Sequence, residues 1–375
     1  MEHYLDNSAT TAVSETVAEK VYKMMTENYG NPSSLHTKGI RAEEELERSR
    51  STVAKAMGVK PEEVYFTSGG TEANNLAVFG TVNLLKRRGN KIVTTAVEHS
   101  SVFETAQYLE ENGCEVVYIK PDSDGIFHIE DFEKAIDKNT ILVSAMAVNN
   151  EIGTILPIEK LKKIIEKKGS PALLHCDCVQ AFGKIPLKLS KAGVDLASVS
   201  GHKIHAPKGV GALYVRKNSR IKPILFGGEQ EKKLRPGTEA LPLITGFSQA
   251  VKEIDINKNY TYVKELCGYT KEKLRKIEGI VINSPESAIP YIINFSVLGI
   301  RSETMLHFLA QKEIYVSSGS ACAKGKPSHV LEAMGLDRNT ADSAVRVSFC
   351  ELNTKEDIDA LIEALEEGIN KLAKR

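Results

Sequence analysis

The run Ser198-Val199-Ser200-Gly201-His202-Lys203-Ile204-His205-Ala206-Pro207-Lys208-Gly209 frames one lysine unusually closely. A solvated lysine needs no strand before it and no Ser-Gly-His turn. A lysine that must hold its amine at one point in a pocket needs both. Upstream, Phe66-Thr67-Ser68-Gly69-Gly70-Thr71-Glu72 joins a strand end, two glycines and a helix start. Free N–H groups in a first helical turn, with the helix dipole behind them, suit an anion. The glycines let main chain approach its oxygens, and Thr71 adds a hydroxyl. Neither a G-x-G-x-x-G fingerprint nor a Walker lysine is present, and an ordinary strand-to-helix turn would read the same way.

Asp177 ends the run Ala172-Leu173-Leu174-His175-Cys176. A carboxylate buried there needs a cationic partner. An anion cradle, a framed lysine and a buried carboxylate together suit pyridoxal phosphate. Its aldehyde forms a Schiff base with lysine, and its ring nitrogen takes a carboxylate partner. His99, just past Val97-Glu98, is placed to lie over a flat ring. Taken singly, Lys203 reads as a surface lysine and His99 as a hydrogen-bonded structural histidine. Only the combination argues otherwise.

The elements that must position these residues alternate from about 60 to 215. Strands are expected at 64–66, 92–97, 114–119, 141–148, 173–176 and 196–198. Between them helices are expected from Thr71, with Ala73, Leu76, Ala77, Gly80 and Leu84 on one face, over 100–111 ending at Asn112-Gly113, near 129–137, and over 157–168. Strands without strict alternation, separated by helices, indicate a mostly parallel sheet covered on both faces. Such sheets bind ligands at the carboxyl ends of their strands, where the candidate residues fall. Residues 209–215 read as the strand closing this region, and 243–277 as one long helical stretch bridging to a smaller domain. That domain would hold a strand at 291–296 and helices near 303–311 and 355–372. No internal repeat or low-complexity tract is apparent.

The 375 residues suggest two domains, and 49 basic residues balance 49 acidic ones, which gives no sign of a polyanion-binding surface. The apolar runs are too short for a membrane span and the start MEHYLDNSATT lacks a leader pattern, so a cytoplasmic protein is expected, with no membrane partner. Cysteines at 114, 176, 178, 267, 322 and 350 read as free thiols. Cys176-x-Cys178 is too short a pair to argue for zinc, and its ordinary reading is a buried strand with one thiol facing each way.

With these residues in place, the chain closely resembles cysteine desulfurases of the NifS/IscS type, fold-type-I, class V members of the pyridoxal-phosphate enzymes. The resemblance runs nearly end to end. It rests on Tyr4-Leu5-Asp6-Asn7-Ser8-Ala9-Thr10-Thr11, on Gly30-Asn31-Pro32-Ser33-Ser34 with His36, and on Thr67 to Asn75. Val97-Glu98-His99, Val148 to Gly153, His175-Cys176-Asp177 with Gln180 and the lysine turn continue it. Arg235-Pro236-Gly237-Thr238, Ser317 to Cys322 and Arg346-Val347-Ser348 complete it.

The resemblance implies a mostly parallel seven-stranded central sheet with helices on both faces and a smaller α+β domain. A large cofactor-binding domain would span 16–254. The small domain would comprise 1–15 and 255–375, carrying the cysteine loop at about 316–328. It also implies roles. Lys203 would form the Schiff base and move protons at the substrate Cα. Asp177 would pair with the pyridine nitrogen, Gln180 would bond the ring hydroxyl, and His99 would stack on the ring. Gly70, Thr71, Ser200 and His202 would hold the phosphate, and Thr238 would reach the phosphate of a neighbouring subunit, making a homodimer. Asn150 and Arg346 would receive the substrate carboxylate, a task suited to a guanidinium fork.

Cys322 lies in Val316 to Pro327, a small, polar, glycine-interrupted stretch whose composition favours a mobile loop. By itself it reads as an idle loop thiol. Beside a pyridoxal site it would attack the substrate sulfur, take up a persulfide and release alanine from L-cysteine. Lys324 and Lys326 would favour the thiolate. The sulfur would pass to an acceptor protein, an iron–sulfur scaffold or a tRNA-thiolation enzyme, without direct nucleic-acid binding. No resident metal is expected, Cys322 being at most a transient iron–sulfur ligand. The loop is shorter than usual, with Pro327-Ser328 only five and six positions after Cys322, which resembles members serving a dedicated partner. Pro236 stands where serine is common and His205 where tyrosine is common. Other readings are a class V aminotransferase or related lyase using no cysteine nucleophile, a selenocysteine lyase, and a catalytically idle docking platform.

Overall fold

The computed structural model describes residues 2–318 and 328–372. The chain opens with β1 (His3–Tyr4), α1 (Glu15–Thr26) and α2 (Thr37–Met57), then enters an alternating region. This region runs β2 (Val64–Thr67), α3 (Gly70–Leu85), β3 (Lys91–Thr95), α4 (Ser100–Glu111), β4 (Glu115–Ile119), α5 (Ile129–Ala135) and β5 (Thr140–Met146). It continues through α6 (Ile158–Lys167), β6 (Leu173–Asp177), α7 (Leu189–Ala192), β7 (Leu196–Ser200) and β8 (Gly211–Val215).

Among the described residues, seven strands form one sheet in the order β2-β8-β7-β6-β5-β3-β4. Strands β4, β3, β5, β6 and β7 are parallel, and β8 runs antiparallel between β7 and β2. The expected α/β sandwich is therefore present. The strand at 209–215 closes the region in sequence but not in space, because β2 takes the edge. Every residue of β5 is buried, as a strand covered on both faces requires. Helix α3 buries Ala73, Leu76 and Ala77 on one side and Val78, Val82 and Leu85 on another. Gly80 lets the chain cross it closely: a Cβ there would stand 2.7 Å from the Lys222 carbonyl.

Several boundaries differ from the sequence expectation for local reasons. Strand β3 stops at Thr95, whose hydroxyl accepts from Val97 N–H and donates to Glu98, turning the chain so that His99 caps α4. The helical stretch at 243–277 is two helices, α8 (Leu241–Glu253) and α9 (Ile256–Leu274). Asp255 between them takes extended backbone and its carboxylate accepts from Lys258 N–H at 3.0 Å, starting a new helix. The Cys176 and Cys178 thiols do not face opposite ways. Their sulfurs lie 3.4 Å apart, because residues i and i+2 of extended chain share a face.

The remaining elements are β9 (Ile280–Ile282), β10 (Ile292–Val297), α10 (Ser302–Ala310), β11 (Ile314–Tyr315), α11 (His329–Ala333), α12 (Arg338–Asp342), β12 (Ala344–Ser348) and α13 (Lys355–Lys371). Strands β12-β10-β9 form an antiparallel sheet, and β1 pairs with β11. The N-terminal segment thus joins the C-terminal elements. Asp6 bridges to Ser348, so residues 6–11 run past β12 toward the carboxyl ends of the large sheet.

Candidate active site

The carboxyl ends of β3, β5, β6 and β7 surround a cavity of about 280 Å³. Gly70, Thr71, His99, Asn150, Asp177, Gln180, Ser200, His202, Lys203 and Arg346 all line it. Ten residues singled out from sequence are thereby brought together. Thr238 is not among them. It is exposed and lines a neighbouring cavity beside the end of β2. Cys322 lies outside the described residues.

Lys203 sits on the turn after β7, and its Nζ donates to the carbonyls of Ser8 and Ala9 at 2.6 and 2.8 Å. Asp177 closes β6 and is 4 % exposed. Its Oδ1 accepts from Val179 N–H at 2.9 Å and its Oδ2 from Asn74 Nδ2 at 2.7 Å, which fixes the carboxylate plane. His99 accepts from Ser101 N–H through Nδ1 at 3.1 Å, so the neutral ring carries its proton on Nε2. Burial, with Lys203 and His329 nearby, holds its pKa below the ordinary value and favours that neutral form. Burial first, then Lys203, also lowers His202 to about 4.

Gln180 accepts from Lys184 Nζ at 2.7 Å and donates to the Ser8 carbonyl at 3.0 Å. That orientation leaves its second N–H for the cavity. Lys184 is wholly enclosed, and burial followed by the charges of Lys203 and Arg346 lowers it to about 7. Arg346, 1 % exposed, donates from its two terminal nitrogens to Asn150 O at 3.0 Å and to Asp6 Oδ1 at 2.7 Å. Its Nε has no partner.

Two orphaned groups test whether pyridoxal phosphate fits. Ser200 Oγ is buried without a partner beside the first turn of α3, where a phosphate would take its hydrogen bond and those of the free N–H groups. Arg346 Nε is a buried donor on the opposite wall, suited to a carboxylate. Gly70 admits the close approach: a Cβ there would lie 2.8 Å from Val179 Cγ2 and 3.6 Å from Ser200 Cβ. The residues fit the group. Gly70→Ala is expected to weaken cofactor affinity by about tenfold or more, the usual scale of an overpacked contact. Equilibrium dialysis of pyridoxal phosphate against the folded variant measures it.

Sequence reasoning gave no individual role to Asp6, Ser8, Ala9, Asn74 or Lys184, which hold the functional side chains from behind. The quoted Tyr4–Thr11 motif was the available signal for the first three. Glu98 beneath the site is also informative. Its Oε1 accepts from Thr95 and Met146 N–H, while Oε2 has no partner. Burial first, and Asp177 in addition, raises it to about 8 from 4.5. Between those values the unfolded chain releases a proton that the folded chain keeps, so stability falls as pH rises through this window. Glu98→Gln is expected to flatten that decline. Thermal unfolding of the holoprotein at about pH 5 and about pH 8 checks it, since a carboxyl ionised in the fold would leave wild type and variant parallel.

A buried cofactor cradle at the switch end of an α/β sheet defines a fold-type-I pyridoxal-phosphate enzyme. The chain belongs to the aminotransferase class-V family, which matches residues 3–361. It is 40% identical over 377 residues to the cysteine desulfurase IscS of Dictyoglomus turgidum, covering 99% of this chain and 95% of that protein. The IscS of Methanosarcina thermophila is 39% identical over 374 residues, covering 98% and 92%. A solved NifS-like protein superposes with a TM-score of 0.94 at 40% identity, covering 99% and 100%. Within the family the protein is a pyridoxal-phosphate-dependent cysteine desulfurase, acting on L-cysteine and passing sulfur to an acceptor. The aminotransferase and selenocysteine lyase readings are not favoured by these relatives. No helix among the described residues is long and apolar enough to cross a membrane.

Proposed function

We propose that the cavity residues divide the desulfurase reaction as follows, with Cys322 collecting the sulfur. Ser200 Oγ, His202 and the N–H groups of Gly70 and Thr71 hold the phosphate, Asp177 the ring nitrogen, Gln180 the ring hydroxyl and His99 one ring face. Pyridoxal phosphate, when bound, supplies an electron sink for the bonds at the substrate Cα. Arg346 Nε and Asn150 receive the substrate carboxylate, which turns the Cα–H toward Lys203. The Lys203 amine takes that proton and returns one. His99, neutral with its proton on Nε2, assists transfer at the substrate sulfur.

The Cys322 thiolate attacks the substrate sulfur. A sulfur–sulfur bond forms as the Cβ–S bond breaks, the electron pair passes to Cβ, and a proton added there completes alanine. The enzyme is left as a persulfide. The observation that carries this reading is how the chain enters and leaves 319–327. Ser317 exchanges backbone hydrogen bonds with Arg346 at 3.1 and 2.6 Å, and Ser328 donates to Glu151, the neighbour of Asn150. Cys322 follows Ser318 by four residues, a span of at most about 14 Å of extended chain.

The working unit is a homodimer in this reading. Thr238 is exposed, and Leu35 and Phe226 stand 96% and 88% exposed, apolar surface suited to a second copy. The sulfur passes on to an iron–sulfur scaffold or a tRNA-thiolation enzyme. Incubating the holoprotein with L-cysteine tests the scheme. Alanine should appear with the mass of one sulfur atom on the Cys322 peptide. Alanine formed with the sulfur on another cysteine would overturn the assignment of Cys322.

A further inference from the structure

His205 follows Lys203 by two residues and has no role in the scheme above. Its backbone is left-handed, with φ +64°, a conformation uncommon outside glycine, though Asn, Asp and His take it more readily than other side chains. Its ring is aimed. Nδ1 donates to the Ala12 carbonyl at 2.9 Å, leaving Nε2 directed inward, 3.7 Å from Glu351 Oε2. Cys350 completes a cluster whose ligand atoms all lie within 4.8 Å of one another. Beside it is a cavity of about 20 Å³, bounded by Lys184, Tyr291, Cys350 and Glu351, enough for one water or ion. Tyr291, 3% exposed, also borders it, and its hydroxyl has no hydrogen-bond partner.

We propose that His205 Nε2, Cys350 Sγ and Glu351 form a zinc site, with a water held by the Tyr291 hydroxyl as fourth ligand. One imidazole, one thiolate and one carboxylate make a borderline-soft set suited to Zn²⁺. Zinc bonds of about 2.1 Å in a tetrahedron separate neighbouring nitrogen and oxygen ligands by about 3.4 Å, close to the spacing already present. The Nδ1–H bond to a carbonyl is the arrangement that orients a metal-bound histidine. Lys184 is the cation facing the cluster. The ion would join the N-terminal segment, the turn bearing Lys203 and the chain leaving β12 just past Arg346, stiffening the catalytic turn. This inference does not depend on the roles proposed above.

Holoprotein treated with a chelator and then titrated with zinc chloride should take up one equivalent that His205→Asn and Cys350→Ser lack. Asparagine is chosen because it tolerates left-handed backbone. Zinc should raise the unfolding midpoint of the wild type and not of either variant. With cobalt(II) chloride, the thiolate–metal absorption should vanish in Cys350→Ser and persist in Cys322→Ser. Retained visible absorbance of bound cofactor reports an intact fold. Should either variant fail to fold, the isosteric Glu351→Gln carries the test, with zinc affinity expected to fall at least about tenfold. Equal zinc uptake by wild type and variants, or a cobalt signal depending on Cys322 alone, overturns the site.

Discussion

Lys203→Ala lowers alanine formation from L-cysteine by at least about 10³-fold, the upper range for loss of a positioned acid–base group, and leaves the protein folded. Its amine donates to the main-chain carbonyls of Ser8 and Ala9 at the cavity wall. Those carbonyls face an opening that water can fill, so the fold survives. A readout independent of turnover is available. Borohydride reduction of the holoprotein should leave the cofactor on the Lys203 peptide of wild type and on no peptide of the variant. A variant keeping more than about a tenth of the wild-type rate would remove the lysine from the proposed chemistry.

Arg346→Lys is expected to cost about 10²-fold in kcat/KM, mostly as a raised KM. The guanidinium holds two directions at once, the Asn150 carbonyl and the Asp6 carboxylate, while its Nε is an unpartnered buried donor on a residue that lines the cavity. An ammonium keeps the charge beside Asp6 but cannot keep the planar fork. The loss should therefore fall on substrate carboxylate binding. Burial raises the pKa of Asp6, and Arg346 and Lys203 oppose that. Arg346→Ala would leave this carboxylate without its main partner, a change that typically destabilises by about 3–5 kcal/mol. Steady-state kinetics on the lysine variant and denaturant unfolding of the alanine variant separate the two roles. An unchanged KM in Arg346→Lys would place substrate recognition elsewhere.

Legibility in the sequence followed sequence distance. Gly70 and Thr71 after β2, Asp177 at the end of β6 and Lys203 after β7 were visible because each follows a run of strand-forming residues. A parallel sheet brings such ends together whatever the details of the turns. The partners that hold them were not visible. Ser8 meets Lys203 across 195 residues, Asn74 meets Asp177 across 103, and Asp6 meets Arg346 across 340. Hydrophobic period and turn chemistry report only on neighbours in the chain, so no local pattern could assign those contacts. Thr238 marks a further boundary, since its proposed task needs a second subunit.

By itself the sequence determined the alternation of strands and helices, the end of the sheet where chemistry gathers, and the residue types for a pyridoxal-phosphate site. These follow from side-chain period and from the short range over which caps and turns act. Only the tertiary structure decided that the N-terminal segment walls the cavity and that β8 lies inside the sheet with β2 at its edge. It alone brought His205 against Cys350 and Glu351. Such contacts close loops of a hundred residues and more, and they are fixed by the packing of a common core, in which all the elements settle together.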